Sequence, residues 1–280
     1  MFNMRMTEAA DAGLAAVRIL MLAALLSATI ALTATVRAAQ GASAADREAW
    51  VVEGSAGLEP RAIDALARMI GADRRLLALR AYLRAGDSLP ERWSWSQEQL
   101  AAYPSTPEGK AAAADIDTVA ATFAAANPGF TLRVNRQPRS LELQIARWNE
   151  NESVGSVAAE LVAWLAERLK DDPATPNADR VRNALMDWKP AIAATLAAPG
   201  LSAHGQGRAF DFQIEHGGQV IAGVEAASAR QQWDEAGWTQ KLQAAVTASG
   251  RRFVGPLQSP YEPWHYAYTP TRTPTPMPMP

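Results

Sequence analysis

Apolar positions recur at helical spacing through the first two thirds of the chain and turn to short alternating runs near its end. Residues 58–84 carry apolar side chains every third or fourth position, with an interruption near Gly71, and predict a helical pair. Residues 94–103 and 105–127 predict two further helices. Ser105 or Thr106 can cap the second, Pro107 suits its first turn, and Glu108 lies close to the capping-box position. Asn127-Pro128-Gly129 ends it. Residues 130–135 alternate and predict a strand. Helical spacing returns at 140–151 and 156–172, where Val157, Leu161, Leu165 and Leu169 share one face. Residues 178–198 are helical until Pro190 bends or ends them.

Strands are predicted at 208–214 and 218–224, joined by a hairpin turn at 215–218. A helix over 228–249 ends at Gly250, and strands within 251–257 and 264–268 complete the sheet. Helices come first and strands cluster late. That order predicts an α+β fold: a small antiparallel sheet, helices packed against it, and a helical N-terminal extension.

The termini change this picture. Residues 19–36 carry no charge, Arg5 and Arg18 precede them, and small residues follow at 37–45. This is the pattern of a secretory signal, with cleavage after Ala38 or Ala44. The run also approaches the ~17–20 residues of a membrane-spanning helix, so an uncleaved anchor stays open. Either reading places the body of the protein outside the cytoplasm, in the periplasm or cell envelope. The expected division is a signal peptide or membrane anchor (1–44), a helical region (45–117), a domain carrying the chemistry (118–269) and an unpacked Pro/Thr-rich tail (270–280).

Composition narrows the chemistry. The 280 residues are 48% hydrophobic, enough for a sizeable core, and the net charge of −2 leaves no basic footprint for nucleic acid. There is no cysteine, which excludes disulfides, thiolate nucleophiles and thiolate-bound metal. A metal would have to use His, Asp, Glu or water. The 3 histidines can therefore be weighed singly. His204 lies in a glycine-bounded loop seven positions before Asp211, which sits in a strand-like run. His265 falls in the last strand, three residues after Glu262. The first three could meet as metal ligands, with Glu262 placed as a base. Plainer readings stand beside this one. His204 could bond a backbone carbonyl, Asp211 could face solvent or pair with Arg208, and His265 could join an aromatic cluster with Trp264 and Tyr266. Glu262 could be a surface charge. His216, in the predicted turn, has no partner pattern and no expected role. Two histidines and a carboxylate suit zinc and also iron.

The segment from Ser202 to Asp211, SAHGQGRAFD, resembles the S-x-H-x-x-G-x-A-x-D signature of zinc D-alanyl-D-alanine carboxypeptidases of the VanY type. Glu262-Pro263-Trp264-His265 is similar to the E-x-W-H signature of the same family, and Pro138–Gln144 resembles its upstream segment. The likeness covers roughly residues 118–268. It implies a zinc ion held by His204, Asp211 and His265, with Glu262 as catalytic base. Arg139 would grip substrate or oxyanion, and Gln144 and Ser202 would line the substrate site. The implied substrates are peptidoglycan stem peptides containing D-amino acids. Pro138 stands where the family has tyrosine, Ala267 where many relatives have arginine, and a helical stretch near 155–198 separates Gln144 from Ser202. A non-catalytic peptidoglycan-binding envelope protein is the alternative. Trp93, Trp95 and Tyr103 are read as core, with a partner-binding surface as their rival role.

Overall fold

A computed structural model describes residues 42–170, 177–250 and 252–269. The uncharged run at 19–36 and the tail at 270–280 lie outside the described residues, and with them the signal, anchor and tail expectations. Among the described residues no helix is long and apolar enough to cross a membrane. The protein is α+β, as its pattern predicts. Its main helices are α1 (Ala44–Ser55), α2 (Pro60–Ala67), α3 (Ala72–Ala85), α4 (Pro107–Ala126), α5 (Leu141–Glu150), α6 (Glu152–Leu169), α7 (Ala178–Asp187) and α8 (Trp238–Ala248).

Two compact units divide the chain, and each is assembled from separated segments. Among the described residues, one comprises 42–57, 71–80, 155–170 and 177–190; the other comprises 58–70, 81–154, 191–250 and 252–269. These interleaved units differ from a sequential division at residue 117, because apolar faces choose partners without regard to chain order. In the first unit, the predicted stripe Val157, Leu161, Leu165 and Leu169 is buried along α6. Helix α1 packs close: a Cβ on Gly54 would lie 2.8 Å from Leu79 Cδ2 and 3.2 Å from Val181 Cγ1. Helix α7 ends at Asp187, two residues before the backbone restriction that Pro190 imposes on Lys189.

The second unit holds the sheet. Thr106 caps α4, its Oγ1 accepting the Gly109 N–H at 3.0 Å, so Glu108 falls one position short of a capping box. The strands are β1 (Phe130–Val134), β2 (Ala209–His216), β3 (Gln219–Ala222), β4 (Phe253–Val254), β5 (Leu257–Gln258), β6 (Tyr261–Glu262) and β7 (His265–Tyr268). The main sheet runs β1-β2-β7-β4, with β3 also paired to β2, and every pairing is antiparallel. The turn after β2 is Gly217-Gly218, at φ 57° and 80°, which only glycine tolerates easily. The predicted helix at 228–249 is interrupted. Residues Arg230–Glu235 form a π-helical turn that buries Trp233, whose Nε1–H donates to the Gly223 carbonyl at 2.7 Å. Gly237, at φ 76°, then restarts the chain as α8.

Alternation along β2 divides the sheet's two faces. Phe210, Phe212 and Ile214 point into a core shared with Ile116, Val119 and Phe123 of α4 and Leu242 and Val246 of α8. Asp211 therefore projects from the other face. Its register partner is His265 of β7, and directly opposed residues share a face.

Candidate metal centre

Strand period and register bring Asp211 and His265 together; a short loop brings His204. Residues Ala203–Gln206 form one 3-10 turn, closed by Gly207 in the left-handed conformation at φ 61°. The loop is held from several sides. The Arg139 N–H donates to the His204 carbonyl at 2.8 Å, and the Trp95 N–H donates to the Gly205 carbonyl at 3.0 Å. Gln206 Nε2 donates to the carbonyls of Glu91 and Trp93 at 2.7 and 2.8 Å. Two glycines permit these approaches. A Cβ on Gly205 would lie 2.0 Å from Ser94 Oγ, and one on Gly207 would lie 2.8 Å from the Tyr103 hydroxyl.

Three donor atoms converge. His204 Nε2 lies 3.2 Å from His265 Nδ1 and 3.4 Å from Asp211 Oδ1; His265 Nδ1 lies 3.1 Å from Asp211 Oδ1. Bonds of ~2.0–2.1 Å in tetrahedral geometry separate neighbouring ligands by about 3.3 Å, so this triangle fits a small divalent metal without rearrangement. The group His204, Asp211 and His265 could hold a metal ion. Glu262 Oε2 lies 3.5 Å from His265 Nδ1, beside the triangle. Its strand is anchored by Tyr261, whose hydroxyl donates to Asp234 Oδ1 at 2.6 Å.

The electrostatics prepare these groups unequally. Burial would raise the Asp211 pKa, but hydrogen bonds from His204 and His265 outweigh it and hold the carboxyl well below its ordinary value. Burial pushes His204 down, partly opposed by Asp211, and so favours the neutral imidazole that ligates metal. Burial pushes Glu262 up; the attraction of His265 and Arg139 only partly offsets it. A carboxylate so raised binds a proton more readily than an exposed one, which suits a general base.

The centre lines a cavity of about 420 Å³ with walls that include Arg139, Arg147, Thr195, Ser202, Glu262 and Trp264. Thr195 is fixed by Ser153: its N–H donates to Ser153 Oγ at 3.0 Å, and the two hydroxyl oxygens lie 2.8 Å apart. Arg139 enters the cavity but is already engaged, its Nη2 donating to Asp211 Oδ2 at 3.3 Å. Ser202 lines the wall as expected. Gln144 does not. It is buried behind the loop, donating to Ser94 Oγ at 2.9 Å and the Arg139 carbonyl at 2.8 Å, and accepting from Gly200 N–H at 3.0 Å. All of these bonds are internal: Gln144 braces the loop from behind and is not among the residues that line the cavity.

Asp211 pairs with Arg139 and not Arg208. The His204 and His265 rings meet edge to face at 4.8 Å. His216 packs against Phe130 at 4.7 Å. Trp93 and Tyr103 are buried, and Trp95 is half-buried against the core that includes Tyr103. Sequence reasoning missed Arg147. Its only signal was helical spacing, three residues after Gln144, which brings both to one side of α5.

No family model matches the chain, and no curated protein or solved structure is similar to it. The family resemblance therefore rests on the motifs alone.

Proposed function

We propose that the protein is an exported zinc peptidase of the D-alanyl-D-alanine carboxypeptidase type, cleaving peptide bonds to D-amino acids in peptidoglycan stem peptides. The observation that carries this reading is the convergence of His204, Asp211 and His265 at tetrahedral spacing with a fourth group, the carboxylate of Glu262, alongside. A binding protein has no need of that fourth group. His204, Asp211 and His265 would hold the metal. When bound, zinc would supply Lewis-acid polarisation of the scissile carbonyl and of an attacking water.

The chain's own residues do the rest. Glu262 takes the proton of the attacking water and delivers it to the leaving amine. Arg139, positively charged and held by Asp211, keeps that carboxylate oriented and adds positive potential where oxyanion charge develops. Arg147 lines the same cavity and has no ion pair within the described residues, so it is the cation free to meet a substrate carboxylate. The compartment follows from the N-terminal pattern and makes the cell wall the substrate source.

Elemental analysis of wild type and His204→Ala, with D-alanine release from a D-Ala-D-Ala-ended muropeptide, tests the proposal. The expected result is one zinc per chain, lost in the variant together with D-alanine release. Protein that takes up no zinc, or takes it up without hydrolysing any stem peptide, would favour the binding-protein alternative.

A further inference from the structure

A second cavity, of about 360 Å³, borders the same loop; its walls include Trp95, Gln99, Tyr103, Glu108, Gly207 and Arg208. That volume lies within the range of small-molecule sites, about 300–1,000 Å³. Trp95 and Tyr103 form a tilted aromatic pair with centroids 5.0 Å apart. The Tyr103 ring lies against Gly207, where a Cβ would come within 2.8 Å of its hydroxyl.

Most nearby polar groups already have partners. Tyr268 donates its hydroxyl to Asp115 at 2.8 Å, and Gln99 Oε1 accepts from the Ser96 N–H at 2.9 Å. Thr106 Oγ1 donates to the Tyr103 carbonyl at 2.8 Å. Three polar side chains differ. The hydroxyl of buried Tyr103 and the exposed side chains of Glu108 and Arg208 make no hydrogen bond or ion pair within the described residues. Together they offer a donor-acceptor hydroxyl, a carboxylate acceptor and a guanidinium donor around an aromatic floor.

The balance of charge selects the ligand. Glu108 opposes an anion and Arg208 opposes a cation, so neither sign is favoured. A neutral molecule with an apolar face and several hydroxyls satisfies both the rings and the rim. We propose that this cavity binds a neutral pyranose ring, packed on the Trp95–Tyr103 pair, with its hydroxyls bonded by Tyr103, Glu108 and Arg208. The site requires no metal and stands independently of the peptidase reading. A glycan strand and a free monosaccharide present the same ring.

Calorimetric titration of the whole protein, with tryptophan emission followed in parallel, tests this. The probes are glucose, N-acetylglucosamine, its β-1,4-linked tetramer, and glycine as a zwitterionic control. Saturable saccharide binding is expected, with a change in emission. Tyr103→Phe removes one oxygen and keeps the ring against Gly207, so it should fold; it should weaken binding about 3- to 10-fold, the range of a neutral hydrogen bond. Glu108→Gln combined with Arg208→Gln should weaken it at least as much. Tighter binding of the tetramer would identify a glycan chain as the source, and equal binding a free sugar. No saturable binding of any saccharide at millimolar concentration, tighter binding of glycine, or unchanged affinity in both variants would overturn the proposal. D-alanine release from a soluble stem peptide is measured separately, so the two readings fail independently.

Discussion

Two cavities share the loop from Ser202 to Arg208, and they differ in what their polar groups have left to do. On the metal side, His204, Asp211, His265 and Arg139 are bonded to one another, and Glu262 adjoins them. Hydrogen bonds within the group lower the Asp211 pKa, and burial lowers that of His204. On the aromatic side, the Tyr103 hydroxyl, Glu108 and Arg208 make no hydrogen bond or ion pair among the described residues and lie around two rings. The first arrangement concentrates charge around a point that could hold a metal ion. The second spreads opposite charges around an apolar floor, which suits recognition. One short loop supports both because its backbone is tied on every side: by Arg139, Trp95 and the Gln206 side chain.

That contrast can be broken at graded cost. Glu262→Gln has the largest expected effect: turnover of a stem peptide should fall about 10²- to 10⁴-fold, with zinc content unchanged. Steady-state kinetics beside elemental analysis checks it, and simultaneous loss of zinc would mean Glu262 is a ligand and not a base. Phe212→Ala attacks the platform common to both cavities. Phe212 is fully buried, so the variant should lose about 3–5 kcal/mol of stability in denaturant titration. Arg147→Gln should raise KM for substrates ending in a free carboxylate about 10- to 100-fold, the range of charged hydrogen bonds, and leave amidated substrates unchanged. Equal effects on both substrates would remove Arg147 from carboxylate recognition. Gly205→Ala places a Cβ against Ser94 Oγ and Gln144, an overpacking of about 1–3 kcal/mol. Thermal unfolding measures that loss, and zinc affinity should weaken with it as the loop shifts. Tyr103→Phe should have the smallest effect, leaving zinc content and soluble-peptide turnover at wild-type values. A loss of metal in this variant would show that the two cavities are not separable.

Much of the fold was legible in the pattern of apolar positions. The stripe on α6, the capped start of α4, the alternation of β2 and its Gly-Gly turn all follow from local rules of period and backbone conformation. The break at Gly237 was not legible. Helical spacing continues through residues 228–249, and burial of Trp233 against Gly223 overrides it. The interleaving of the two units was hidden for a similar reason, since an apolar face does not name its partner.

The site divides the same way. The residue types at 204, 211, 262 and 265, and the absence of cysteine, by themselves restrict the protein ligands of any metal centre to imidazole and carboxylate. Period two along β2 put Asp211 on the face opposite Phe210 and Phe212. Whether the four groups would meet depended on the pairing of β2 with β7, a contact between residues 54 positions apart. The placements of Gln144 and Arg147 were hidden for the same reason. Both lie on one helix, but the position of Ser94 and Gly200 turns Gln144 into a buried brace and leaves Arg147 facing the cavity. Local sequence specifies which chemistry a residue can offer; long-range packing decides what it is offered to, because burial and partner distance are properties of the assembled chain.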